Sequence, residues 1–484
     1  MIAKQQALNP ALVPLATFFV VIAAALGFLT LQGKEVFGLL GLLAVLGAAL
    51  IALHPEVGIL IFMTSLFVTY GNYVPTQGRF TPNNLLGLFF AFLLLLKLYR
   101  ERDLWFSKER TLQIFTLLIM FFLLSSSFAE PQSNPIPELD LTAQTVHNLV
   151  TRFIFLIFFV NFIRTLRDVK LVLWVVLGLI FISAITGVQA TGEESGPESY
   201  RAAATAGIQS AGNANRLAFL CVVGIGIIWY YRRVVTQRLL RLILTATIPG
   251  LAVAALMAGS RSGLVNLVVL SALIAIEGRF SIKKQIQMGL VAVFSAYLAA
   301  AFLTSAHFER LENLFPGASS GVKGTTSLDN RLRTLQEGLG IAFENPIFGV
   351  GIGNFRWVRF QKYGIAVPSH NSYVWAAAEG GIPALILYLM TFGVTLRNFL
   401  RTEQNAQNPE LREIARGLRT SFLVLLVFSF FADFWLNVFT FVMIGLSIVV
   451  RRIQEREPVI VVKREFPSYS LGDSASTEGR AAAA

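Results

Sequence analysis

The chain has 484 residues, of which 55% are hydrophobic and 14% charged, with a formal net charge of +12. So low a charged share, against roughly one quarter in soluble domains, excludes an ordinary water-soluble globule. The 40 Lys and Arg residues are interspersed between apolar runs instead of lining one face, which excludes a nucleic-acid surface as the reason for the basic balance, and the single cysteine, Cys221, excludes an internal disulfide and a thiolate metal cluster.

Apolar runs near the roughly 17 to 25 residues that cross a hydrocarbon core recur almost to residue 450. Candidate spans fall near 11–30, 36–53, 56–71, 84–99, 111–128, 148–163, 171–190, 214–231, 239–258, 263–277, 286–305, 381–396, 418–433 and 436–450. The expected fold class is an all-α polytopic transmembrane bundle of about 12–14 spans, with a large outer loop containing amphipathic helices. The first apolar segment follows MIAKQQALNP without a small-residue cleavage site and reads as a retained helix. Basic segments such as YRERDLWFSKER, RTLRDVK, YYRRVVTQRLLR and EGRFSIKKQ alternate with polar, Gly- and Pro-containing ones. This alternation orients both termini toward the cytoplasm. The basic residues then divide 27 inside to 13 outside, with seven of the 13 in the long loop 306–380. The organisation expected is a transmembrane bundle over 1–305, an outer loop over 306–380, C-terminal spans over 381–452 and a disordered cytoplasmic tail over 453–484.

Loop 306–380 is the long extramembrane segment between spans, and length on that scale signals function or disorder. Leu332, Leu335, Leu339 and Phe343 fall at helical spacing and Asn345-Pro346 supplies a stop, so an amphipathic helix on the membrane surface is expected, carrying Arg331 and Arg333. PIFGVGIGNF follows; its glycines lack the spacing and strand-helix context of a nucleotide fingerprint, and a tight turn against the membrane or a bound lipid is the expectation. Pro368 and Ser369 resemble a helix start. His370 then lies in or beside a first turn, where the helix dipole disfavours the imidazolium and leaves a neutral ring able to accept a proton. A histidine there serves either as a general base or as a cap bonded to a carbonyl. His54, His147 and His307 have no comparable context, and four scattered histidines provide no dedicated metal site.

Arginines also mark the other outward segments: Arg201 and Arg216 in SYRAAATAGIQSAGNANRLAF, Arg261 in AGSRSGL, and Arg79 in TQGRFTPNN. An arginine in a tight turn between apolar helices needs an anion, a water cavity or a carbonyl partner, and snorkelling to lipid phosphate is the alternative. That alternative suits Arg79 and Arg216 best, whereas Arg201 precedes a small-residue run suited to close packing.

The order of Arg201 and GNANRLA, AGSRSGL, NRLRTLQEGLGIAFENPIFGVGIGNF, then SHNSYVWAAAEGGIPALILYL resembles the bacterial O-antigen ligase and O-antigen polymerase superfamily over roughly residues 200–395. The sequence departs from the family pattern at Ala384, often a glycine, and at Ser262-Gly263, often Gly-Ala. The resemblance implies a GT-C-like, inverting, metal-independent membrane glycosyltransferase with no cofactor, in the bacterial inner membrane with its active site facing the periplasm. It implies an undecaprenyl-diphosphate-linked glycan as donor, and lipid A-core or another glycan as acceptor. Arg331, Arg261 and Arg201 are the implied diphosphate-binding residues and His370 the base, with Asp433, Asn371, Arg216 and Arg333 as supporting candidates. Arginines suit a diphosphate because a planar fork compensates its charge bidentately. Two further classes stay open: a secondary transporter of a small anion, with ionisable residues at mid-span, and a scaffold for polysaccharide assembly, which needs no His370.

The orientation is testable. In a Cys221→Ser background, cysteines at positions 140, 205 and 325 should react with an impermeant thiol reagent in intact spheroplasts, and cysteines at 236 and 405 should not; labelling of the second group reverses the topology.

Overall fold

The computed structural model describes residues 47–68, 82–101, 109–128, 141–189, 213–277 and 323–458. Among them every regular element is helical. The expected spans at 11–30 and 286–305, most of 36–53, His307, Arg79 and Arg201 lie outside the described residues.

The helices are α1 (Pro55–Phe67), α2 (Pro82–Glu101), α3 (Arg110–Phe128), α4 (Thr142–Phe162), α5 (Leu166–Gln189), α6 (Ala214–Tyr231), α7 (Arg238–Met257), α8 (Arg261–Glu277), α9 (Lys323–Glu344), α10 (Phe355–Tyr363), α11 (Ser372–Asn405), α12 (Pro409–Phe428) and α13 (Val438–Glu455). Six of them, α3 to α7 and α11, are long and apolar enough to cross a bilayer. Each apolar run becomes a helix because a segment in hydrocarbon must satisfy its backbone groups internally. Residues such as Leu88, Met120, Ile243 and Val268 stay exposed, as befits surfaces that face lipid. α6 is the most enclosed span, seated against α7, α8 and α12.

Small residues set the close approaches. A side chain added at Gly263 of α8 would meet Ala218 Cβ of α6 at 2.5 Å, so the two helices pack nearly backbone to backbone. Ser260 ties the same two helix starts together. Its hydroxyl donates to Asn215 Oδ1 at 2.8 Å and accepts the Gly263 N–H at 3.1 Å.

The loop expected at 306–380 carries two helices over its described part. α9 buries Thr334, Glu337, Ile341 and Ala342, while Leu332, Leu339 and Phe343 stay exposed. Three of the four residues of the apolar stripe read from the sequence therefore face outward on α9, and the fourth, Leu335, is half-buried. The glycine turn 349–353 packs on α11. Val350 N–H donates to Ala378 O at 2.8 Å, Gly351 N–H to Glu379 O at 3.0 Å, and Ile382 N–H to Pro346 O at 2.8 Å. α11 breaks at Gly381, whose φ of 74° opens the helix to receive this turn. At Gly349, with φ 65°, a Cβ would lie 2.5 Å from the Glu379 carbonyl carbon.

Gly349→Ala should therefore destabilise the protein by about 1–3 kcal/mol through left-handed strain and backbone overlap, lowering the thermal midpoint in detergent. Gly393→Ala, at a helical position of α11 with nothing within 4 Å, should leave it unchanged or slightly raised. Equal midpoints for the two variants would contradict the packing.

Candidate active site

Four helix ends converge on the candidate site. Arg261 is the first residue of α8, held there by the Ser260 cap. Arg331 lies on α9, and His370 and Asn371 immediately precede α11. The turn between α12 and α13 contributes Phe430, Phe431 and Asp433.

Asn371 is the N-cap of α11: its side-chain oxygen accepts the N–H groups of Tyr373 at 3.0 Å and Val374 at 3.1 Å. The helix thus starts at Ser372, later than the expected start at Pro368-Ser369, and His370 stands outside it with φ 53°. A left-handed backbone at a non-glycine residue persists only where its surroundings enforce it. Asp433 does this. Its carboxylate accepts the His370 N–H at 3.1 Å, the Asn371 N–H at 3.2 Å and the Ser369 hydroxyl. Ser372 completes the junction, donating from its hydroxyl to Ala432 O at 2.7 Å and accepting the Phe434 N–H at 2.9 Å. Asp433 therefore orients His370 through the main chain.

A cavity of about 220 Å³ collects Arg261, Ser262, Arg331, Ser369, His370 and Asn371, with an apolar wall from Val265, Leu332, Leu335, Phe430 and Phe431. Among the described residues no carboxylate lines it, so two guanidiniums make it a place for an anion with an apolar attachment. Burial is the main cause that pushes the His370 imidazole below the ordinary histidine value. Asp433 opposes this shift, and Arg331 and Arg359 reinforce it. The direction is that of the neutral ring read from the sequence, but its leading cause is burial and not a helix end.

Two residues with no assigned role in the sequence reading organise this site. Arg359 of α10 is 2% exposed and donates from Nε to Glu337 Oε2 at 2.8 Å, from Nη2 to Thr334 Oγ1 at 2.9 Å and from Nη1 to Val367 O at 3.0 Å. It binds α9, which carries Arg331, to the segment leading into His370. Glu379 accepts the Gly353 N–H at 2.7 Å and the Phe355 N–H at 3.2 Å, fixing the glycine turn. The signal for Glu379 was a lone carboxylate in the apolar run WAAAEGGIPA; Arg359 had no comparable signal.

Not every candidate converges here. Arg333 points away, is 58% exposed and pairs with Glu337 at 2.7 Å. Arg216 lines a different cavity, together with Asp433. Among the described residues no group of three His, Cys, Asp or Glu side chains could hold a metal ion.

Fold and site together define a multipass helical membrane protein with a built, cationic, half-apolar cavity at helix ends. Residues 246–389 match the family model described as O-antigen ligase, which supports membership of the O-antigen ligase superfamily. The matched stretch contains Arg261, Arg331, His370, Asn371 and Glu379, and leaves out Arg201, Arg216 and Asp433. No curated protein sequence matches the chain.

The electrostatics of His370 predict two shifts of opposite sign. Asp433→Asn removes the charge that favours the imidazolium and should lower the His370 titration midpoint further. Arg331→Gln removes a charge that disfavours it and should raise the midpoint. Nitrogen-15 spectra of histidine-labelled protein across pH 4–8 read both; a rise in Asp433→Asn would contradict the arrangement.

Proposed function

We propose that the protein transfers a glycan from an undecaprenyl-diphosphate carrier to a hydroxyl of lipid A-core on the periplasmic face of the inner membrane, as an O-antigen ligase. The observation that carries this reading is the meeting of Arg261, Arg331 and His370, from three distant chain segments, in one cavity with an apolar wall. The diphosphate sits against Arg261 and Arg331, and its polyprenyl tail leaves along Val265, Leu332 and Phe430, the last 57% exposed. Polymerisation onto a second lipid-linked glycan uses the same chemistry with another acceptor.

In the reaction the anomeric carbon–oxygen bond to the diphosphate breaks, and the diphosphate departs with the electron pair. The two guanidiniums compensate the charge that develops on it. A bond forms from the acceptor oxygen on the opposite face, which inverts the anomeric centre. The acceptor proton passes to neutral His370, whose ring is kept deprotonated at neutral pH by burial and neighbouring arginines. Asn371 caps the helix behind it, and Asp433 holds the turn.

Purified protein with a defined lipid-linked donor and acceptor, assayed with chelator present, tests each part. His370→Gln should lose roughly a hundredfold or more in turnover while still binding donor, because glutamine cannot take a proton at neutral pH. Arg331→Lys should lose about 2–4 kcal/mol of transition-state stabilisation, since lysine keeps charge without the fork. Wild-type rate should stay level as pH falls through the ordinary histidine value and drop only below it. Near-normal turnover in His370→Gln would remove the base from the scheme, and loss of activity with chelator would call for a metal. Deletion in the source cell separates the acceptors: intact lipid-linked polymer without attachment marks a ligase, and accumulated single repeats mark a polymerase.

A further inference from the structure

A second cavity, of about 260 Å³, lies on the other side of the same turn: Pro368 and Asp433 line it, whereas Ser369, His370 and Asn371 line the first. Its charge is unbalanced. Arg152 of α4 and Arg216 of α6 both face it and repel each other, and among the described residues neither makes a hydrogen bond or an ion pair. Arg356 of α10 adds a third guanidinium, whose Nε and Nη2 donate to the neutral Ala366 carbonyl at 3.2 and 3.1 Å. Two carboxylates line the cavity, and both are committed to main-chain donors. Glu379 accepts from Gly353 and Phe355. Asp433 attracts Arg216 at a distance but spends its oxygens on the Ser369–Asn371 turn.

Half-buried guanidiniums in an apolar bundle are costly where the nearby carboxylates are committed to other donors, and such residues in membrane proteins mark ligand sites. The rest of the lining suits a sugar: Thr145, Asn148 and Asn437 supply polar groups, and Trp375 and Trp435 supply aromatic surface. The volume lies below the roughly 300–1,000 Å³ of a drug-sized site, so one substituted sugar residue fits and a chain of several does not. We propose that this second cavity is a subsite for an acidic sugar residue, a carboxylate or phosphate ester carried by one of the two saccharide substrates. This rests on the glycan-transfer reading above. It places a charged saccharide group behind the His370 turn while Arg261 and Arg331 hold the diphosphate in front of it, so the two anions are read by separate arginines.

The test begins with binding, which needs no turnover. With full-length protein in nanodiscs, saturation-transfer spectra of glucuronate and glucose 6-phosphate should show binding, with glucose at least tenfold weaker. Arg152→Gln with Arg216→Gln should abolish the preference for the acidic sugars. Arg152→Lys with Arg216→Lys should keep it within severalfold and shows that the cavity tolerates substitution, while Arg331→Gln should leave it unchanged. Equal binding of glucuronate and glucose to the wild type, or a preference that survives the double Gln variant, overturns the subsite. The second arm identifies the source in the reconstituted transfer reaction. A raised KM for acceptor alone in the double Gln variant assigns the acid to the acceptor, a raised KM for donor alone assigns it to the donor glycan, and an unchanged KM for both overturns the proposal. Failure of transfer in the wild type with acidic-sugar binding intact would count against the glycosyltransferase reading and leave the subsite standing.

Discussion

The capture of one turn by one carboxylate is the constraint on which the rest of the site depends. Asp433 gathers the Ser369 hydroxyl and two successive backbone N–H groups, and so holds His370 at φ 53°. Backbone donors converging on an acceptor form a concave anion nest, here filled by the protein's own carboxylate. Because the Asp433 oxygens are used on the main chain, the imidazole is left to face the cavity with Arg261 and Arg331. The strain of a left-handed histidine, on the order of 1–3 kcal/mol, is offset by these charge-assisted bonds. The same segment divides the two cavities, so a single local geometry sets the direction of the histidine and the boundary between binding regions.

Around that turn the outer elements are fixed by buried ions and by glycines in one connected framework. Arg359 reaches Thr334, Glu337 and Val367, so a shift of α9 and a shift of the 367–371 segment are coupled. Glu379 closes the opposite side by seating the 349–353 turn in the break of α11. Removing one partner of the Arg359–Glu337 pair leaves a buried charge uncompensated, a loss of about 3–5 kcal/mol. Such networks contribute little net stability over an apolar core; what they supply is a single arrangement, which a site assembled from three distant segments requires.

Much of this was legible in the sequence, and the boundary of legibility is physical. Span-length apolar runs give helices because hydrocarbon permits little else. Arg261, Arg331, His370 and Asn371 stood out because polar residues clustered at helix ends in an apolar chain demand an explanation. The start of α11 was read too early, because Pro368-Ser369 offers the same local start signal as Asn371, and only the tertiary hold of Asp433 selects the later cap. The glycine stretch was expected to be a tight turn against the membrane or a bound lipid; its protein partner, a helix break at Gly381, is visible only once α11 and the turn meet. Arg333 and Arg331 look alike in sequence; a two-residue offset on α9 sends one to Glu337 and exposes it, and sends the other toward His370.

The break in α11 bears directly on the transporter alternative, since discontinuous helices are the usual architecture of transport sites. In such sites the freed carbonyls and helix ends turn toward a central cavity that holds the ion. Here they turn toward protein. Ala378 O and Glu379 O accept the N–H groups of Val350 and Gly351, Glu379 O also accepts the Ser125 hydroxyl at 3.0 Å, and Ile382 N–H donates to Pro346 O. The ionised groups at the other end of the bundle are likewise consumed: Lys97 donates to Asn161 at 3.1 Å, Arg452 to Val160 O at 2.7 Å, and Arg451 pairs with Glu109 at 3.3 Å. Of the arginines that line the two cavities, Arg216 and Arg261 lie in the first turns of α6 and α8, whereas Arg152 sits at the middle of α4. The groups freed at the α11 break are thus consumed by protein, which counts against an ion site at that break, and among the described residues the mid-helix charge of α4, Arg152, faces the second cavity and not the break.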